Sequence, residues 1–99
     1  MSSETQCERE FTVARVLGLH ARPASQFATV AGRFESEIQV ARGEEWVDAR
    51  SVLSLLSLAA GTGTRLRIRA VGVDAVAAVE ALGKILEEPV QPGESVTDP

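Results

Sequence analysis

The chain holds one histidine, His20, in the run Gly18-Leu19-His20-Ala21-Arg22-Pro23-Ala24, just ahead of a segment with helical apolar spacing. A neutral imidazole is a good nucleophile, and the side chain's reference pKa of about 6.5 leaves it largely neutral near pH 7. The first N–H groups of a helix lack intrahelical acceptors, and the helix dipole adds partial positive charge there. Such an end suits a phosphate. Arg22 adds a permanent, fork-shaped cation for phosphate oxygens. Pro23 fits the first turn, where its missing N–H breaks no helical bond. Gly18 lets the preceding loop bend without crowding the ring. Attack on a phosphoryl donor would give a phosphoimidazole that can pass the group on, a reaction that rests mainly on positioning and charge neutralisation. The same residues also describe an ordinary helix start, with His20 a weak cap and Arg22 a solvated charge.

Ser51 is the second candidate, at the start of another apolar helical run, Val52-Leu53-Ser54-Leu55-Leu56. Serine is a favoured N-cap, and a phosphate on it would be tolerated by the helix start. Val52, Leu53 and Leu56 beside it form an apolar group of the kind that marks docking surfaces. A dianion at its edge would weaken docking to an acidic or apolar partner. Trp46 reads as a packing residue, with an interface anchor as the alternative. Arg65, Arg67 and Arg69 alternate along one strand and read as a solvated basic face rather than a nucleic-acid face. Cys7 is the single cysteine, so no intrachain disulfide forms. One His and one Cys far apart do not make a zinc site.

These groups must be held by the elements around them. Glu10 to Val16 carries β-compatible alternation through Phe11 and Val13 and predicts the first strand. Leu17-Gly18-Leu19 is a loop. A helix is expected from about Ala21 to Gly32, with Ala24, Phe27, Ala28, Val30 and Ala31 at helical spacing and Gly32 as terminator. Phe34 to Ala41 and Glu45 to Asp48 form a hairpin around Arg42-Gly43-Glu44. A short helix covers Val52 to Ala59 or Ala60, and Gly61-Thr62-Gly63 breaks it. Thr64 to Val71 alternates as a half-buried strand. Asp74 caps a last helix through about Glu87, with Val76, Val79, Leu82 or Gly83, and Leu86 facing inward. The order β-α-β-β-α-β-α predicts an α+β fold with a sheet covered on one side. Met1 to Arg9 reads as a polar leader, Glu10 to Glu88 as the domain, and Pro89 to Pro99 as a loose tail.

A chain of 99 residues supports one domain with one two-layer core. No apolar run is long enough to span a membrane, and the N-terminus lacks the apolar stretch of a signal peptide. A cytoplasmic location is therefore expected. The net charge of −4 argues against nucleic acid as a general partner.

The Gly18 to Ala24 block, the Arg50-Ser51-Val52-Leu53 segment with Leu56-Ser57-Leu58, and the turns at Gly61 to Thr64 and Gly72 resemble the HPr family. This family is the histidine phosphocarrier of the bacterial phosphoenolpyruvate:sugar phosphotransferase system. The resemblance runs from about Glu10 to Glu88. It implies an open-faced β-sandwich: a four-stranded antiparallel sheet in order 1-4-2-3 with three helices on one face. It implies that phospho-enzyme I phosphorylates His20 on Nδ1 and that the group passes to an enzyme IIA domain. Arg22 would pair with the phosphate, and N–H groups of Ala21 and Arg22 would complete the cradle. Ser51 matches the serine modified by an ATP-dependent HPr kinase/phosphorylase in bacteria that possess one. Arg50, Val52, Leu53 and Leu56 would dock partners.

So read, the protein is a transiently phosphorylated carrier rather than an enzyme, without metal or cofactor, acting as a monomer. Leu17 stands where many members have Asn or Ser. Thr29, Gly32 and Ser54 stand where some have lysine, which thins the electropositive rim. Two alternatives stay open: a regulatory binding module controlled through Ser51, and a nitrogen-branch phosphocarrier. The intact block around His20 favours a carrier over the regulatory module.

Overall fold

In the computed structural model, which describes residues 5–89, seven elements follow one another. They are β1 (Thr5–Thr12), α1 (Ala21–Ala31), β2 (Glu37–Arg42), β3 (Glu45–Asp48), α2 (Val52–Ser57), β4 (Arg65–Gly72) and α3 (Ala75–Glu87). The strands form one four-stranded antiparallel sheet in the order β1-β4-β2-β3. The expected α+β architecture and strand order are both present.

β4 shows why the sheet has one dry face. Its alternation puts Leu66, Ile68 and Ala70 inside, fully buried, and Arg65, Arg67 and Arg69 on the open side. Across the ladders, Phe11 pairs with Leu66, and Val40 with Ile68, so neighbouring strands add to the same apolar face. The helices bring Ala24, Phe27, Leu55, Val79, Leu82 and Leu86 against it. Each buried Leu or Ile contributes roughly 1.5–3 kcal/mol. α3 comes close to β1 because Gly83 has no Cβ: one built there would overlap the Phe11 ring.

Several boundaries differ from the expectation. The first strand begins at Thr5 and ends at Thr12, not at Glu10 and Val16. The part of the expected polar leader from Thr5 to Arg9 is therefore paired strand, and Glu8 stands opposite Arg69 as Glu10 stands opposite Arg67. Opposite charges across a ladder hold a strand that lacks apolar alternation. Val13 to Val16 leaves the sheet as a loop. β2 starts at Glu37, after Phe34 has been used in the turn that follows α1. α2 stops at Ser57 rather than Ala59, because Ala59 takes φ +52°. Gly32 does close α1, but at an ordinary right-handed φ of −68°.

On α3, Val76 is 49% exposed, and Ala75, Ala78 and Ile85 take inward places beside Val79, Leu82 and Leu86. Asp74 makes no side-chain cap bond to α3. Its carboxylate instead accepts from the N–H groups of Glu35 (2.9 Å) and Ser36 (3.0 Å) and from the Ser36 hydroxyl (2.5 Å). The start of the expected leader, before Thr5, and the expected tail beyond Pro89 lie outside the described residues.

Candidate functional site

His20 is the N-cap of α1, with extended backbone (φ −85°, ψ −171°), and its carbonyl accepts from the Ala24 N–H at 2.9 Å. Its side chain makes no capping hydrogen bond, so the helix does not consume the imidazole. The residue is half-buried, and Ala21 and Arg22 next to it are exposed. Pro23 has no N–H, so the first-turn N–H groups of α1, which lie along the helix axis, are those of Ala21 and Arg22. No acidic side chain lies in the first turn to offset the positive end of the helix. An open depression beside it is lined by Ala21, Arg22, Ser25 and Gln26. A helix start of this kind suits a compact anion.

The loop carrying His20 is laced to the segment after α2. Val13 N–H donates to Thr64 O (2.8 Å), Gly63 N–H to Val13 O (2.8 Å), and Leu19 N–H to Ala60 O (2.8 Å). Gly18 N–H closes a turn on Arg15 O at 3.0 Å. Gly18 has φ +74°, and a Cβ there would lie 2.6 Å from the Ala60 oxygen. Both facts require glycine. The receiving segment has its own support: the Arg42 guanidinium donates to the carbonyls of Leu58 (3.0 Å) and Ala59 (2.8 Å), at the C-terminal end of α2. In the sequence, Arg42 and Thr62 read as turn residues, and their polar types give no sign of which distant carbonyls they meet.

Ser51 is the N-cap of α2, and its hydroxyl accepts from the Ser54 N–H at 3.2 Å. The expected cap is present. Among the apolar residues beside it, Leu53 is 80% exposed, while Val52 and Leu56 are half-buried and packed on the core. Leu17 (74% exposed) and Val16 add apolar surface on the loop before His20. The Arg50 Nε lies 3.7 Å from the Asp48 carboxylate, and the residue lines a depression with Gln39, Asp48 and Arg69 rather than the one beside Arg22.

Trp46 lies half-buried on the open sheet face, with the guanidinium carbons of Arg69 and Arg67 at 4.0 and 4.9 Å from its ring centre. Arg67 also pairs with Glu8 at 3.6 Å and donates to the Gly43 carbonyl, and Arg69 donates to Gln39 Oε1 at 2.7 Å. The arginine row is thus largely tied into the sheet and is less of a purely solvated face than expected. No cluster of metal-ligating side chains occurs among the described residues, and no helix there is long and apolar enough to cross a membrane.

Comparison with known proteins adds the family. Residues 7–88 match the family model described as the PTS HPr component phosphorylation site. The chain is 40% identical over 83 residues to the phosphocarrier protein NPr of Shewanella violacea, covering 84% of this chain and 91% of that protein. It is 38% identical to the phosphocarrier protein HPr of Pseudomonas putida, covering 87% of this chain and 97% of that one. The crystal structure of an HPr from Bacillus anthracis superposes with a TM-score of 0.80 at 35% identity, covering 83% of this chain and 98% of that chain. A helix start that leaves its histidine ring available, on this sheet order and with these relatives, makes the chain a member of the HPr family, the phosphocarrier proteins of the phosphotransferase system.

Proposed function

We propose that His20 is the phosphoryl carrier of this chain. The observation that carries the reading is the N-cap position of His20 with an imidazole that makes no capping bond. In the proposed step, the Nδ1 lone pair of the ring, its proton on Nε2, attacks the phosphorus of phosphohistidine on enzyme I. The new N–P bond forms as the donor's N–P bond breaks, and that electron pair returns to the donor imidazole. Onward transfer to an enzyme IIA domain repeats the exchange with His20 as the leaving group. Arg22 neutralises the equatorial oxygens, and the N–H groups of Ala21 and Arg22 complete the cradle. Leu53, with Val52 and Leu56 at its edge, provides the apolar docking surface, and Arg50 contributes charge at its border. The carrier works as a monomer in the cytoplasm.

Incubation with phosphoenolpyruvate and enzyme I, followed by phosphorus NMR, tests this. An acid-labile phosphohistidine should form and should be absent in His20→Ala. Label that survives this substitution excludes His20 as carrier. Arg22→Lys keeps the charge but loses the fork, and loss of one charge-assisted hydrogen bond of roughly 1.5–3 kcal/mol slows transfer roughly 10- to 100-fold.

The likeness to NPr favours a second reading of the same chemistry, in which the acceptor belongs to a nitrogen-related branch. Parallel transfer assays with sugar-type and nitrogen-type enzyme IIA separate the two. Ser51 is proposed as a regulatory site for an ATP-dependent HPr kinase, which should give an acid-stable phosphate lost in Ser51→Ala. A purely Ser51-controlled binding module would accept this phosphate yet fail the phosphohistidine assay.

A further inference from the structure

The Thr62 hydroxyl lies 2.6 Å from the carbonyl oxygen of Arg15 and 3.1 Å from that of Val16. These residues are 47 and 46 positions away from it in sequence. Arg15 O is also the acceptor that closes the turn ending at Gly18, at 3.0 Å from its N–H. A single hydroxyl proton is thus shared between the two carbonyls at the base of the turn that delivers Leu19 and then His20. On either side, the loop is held to the post-α2 segment by backbone bonds, at Val13 with Gly63 and Thr64 and at Leu19 with Ala60. Between those anchors, Thr62 adds a side-chain contact from this segment. Thr62 itself is exposed, so its substitution leaves no cavity in the core.

We propose that Thr62 is a positioning residue for His20: its hydroxyl latches the Arg15–Gly18 turn and so holds the imidazole at the angle needed for in-line phosphoryl transfer. The proposal rests on His20 as the carrier. The physical basis is that transfer depends on alignment of the attacking nitrogen, and small errors in alignment cost large factors in rate. Arg42 serves the same arrangement indirectly, because it fixes the α2 end from which Ala60 and Thr62 extend.

Thr62→Val removes the hydroxyl at nearly constant shape, and Thr62→Ser restores it. Two measurements on the full chain read the latch. In the unphosphorylated protein, the Gly18 amide should exchange with solvent about fivefold faster or more in Thr62→Val and near the wild-type rate in Thr62→Ser, while core amides such as those of Phe27 and Ile68 stay unchanged. With phospho-enzyme I, Thr62→Val should lower the maximal transfer rate about tenfold with little change in KM, and Thr62→Ser should recover it. Unchanged Gly18 exchange, or a full transfer rate in Thr62→Val, overturns the proposal. Should the wild type accept no phosphoryl group, the carrier reading fails, and the positioning role falls with it even if the exchange result shows the latch.

Discussion

The Ser36 hydroxyl donates to the Asp74 carboxylate at 2.5 Å and joins the loop after α1 to the turn before α3. Ser36 is buried and also donates its N–H to the same carboxylate, as does Glu35. The Ser36 hydroxyl, and after it the Glu35 N–H, hold the Asp74 carboxyl below its ordinary value. A carboxyl whose folded pKa is depressed stabilises the fold above its unfolded pKa of about 3.9, and loses that contribution as pH falls through the lower folded value. Asp74→Asn should therefore lower Tm at pH 7, and the gap to wild type should narrow as pH drops below about 4. Thermal melts at neutral pH and on either side of that threshold check this; a gap that stays constant contradicts it.

Gly18 and Gly43 separate two costs of a side chain. Both have positive φ, +74° and +64°, but a Cβ at Gly18 meets the backbone of Ala60 and Gly61, whereas one at Gly43 meets nothing within 4 Å. Gly43→Ala should cost roughly 1–2 kcal/mol, the left-handed backbone alone. Gly18→Ala adds a forced shift of the His20 loop, for a total of roughly 2–4 kcal/mol. Denaturant melts measure both. Phosphoryl acceptance, assayed on folded protein, should fall for Gly18→Ala and persist for Gly43→Ala.

Trp46 receives two guanidinium groups on the open sheet face. At roughly 0.5–1 kcal/mol for each exposed cation–π contact, Trp46→Ala should lose about 1–2 kcal/mol in urea denaturation. Phosphoryl transfer should continue at the wild-type rate. A large rise in KM for enzyme I would instead make Trp46 an interface anchor.

Ser51 carries a structural and a proposed regulatory role, and two substitutions divide them. Ser51→Ala loses the bond to the Ser54 N–H and should cost about 1 kcal/mol. Ser51→Asp keeps a capping oxygen and should melt within roughly 0.5 kcal/mol of wild type, since Asp and Ser rank together as N-caps. Its added charge should still raise KM for enzyme I. Equal KM values for Ser51→Asp and wild type speak against an electrostatic switch.

Leu53 is 80% exposed, so Leu53→Ala should change stability by no more than about 0.5 kcal/mol. If it docks partners, KM for enzyme I should rise several-fold with the maximal rate unchanged. Surface plasmon resonance with enzyme I gives the same comparison without turnover.

By itself the sequence determined the features whose physics is local. The alternation of Leu66, Ile68 and Ala70 against three arginines marked β4 and its inner face. Serine before Val52 marked the cap of α2, and the block from Gly18 to Ala24 marked the start of α1 with His20 at its cap. These signals lie within one helical turn or one strand, where periodicity and capping chemistry act. Tertiary structure alone decided the contacts that cross the chain. Pairing with β4 made a strand of Thr5 to Arg9, whose polar residues carry no apolar alternation of their own. Asp74 left its own helix for Ser36, Trp46 met Arg67 and Arg69 from another strand, and Thr62 reached the carbonyls below the His20 turn. A hydroxyl, a carboxylate or a guanidinium has many acceptable partners, and only the packing of sheet and helices brings one of them within bonding distance.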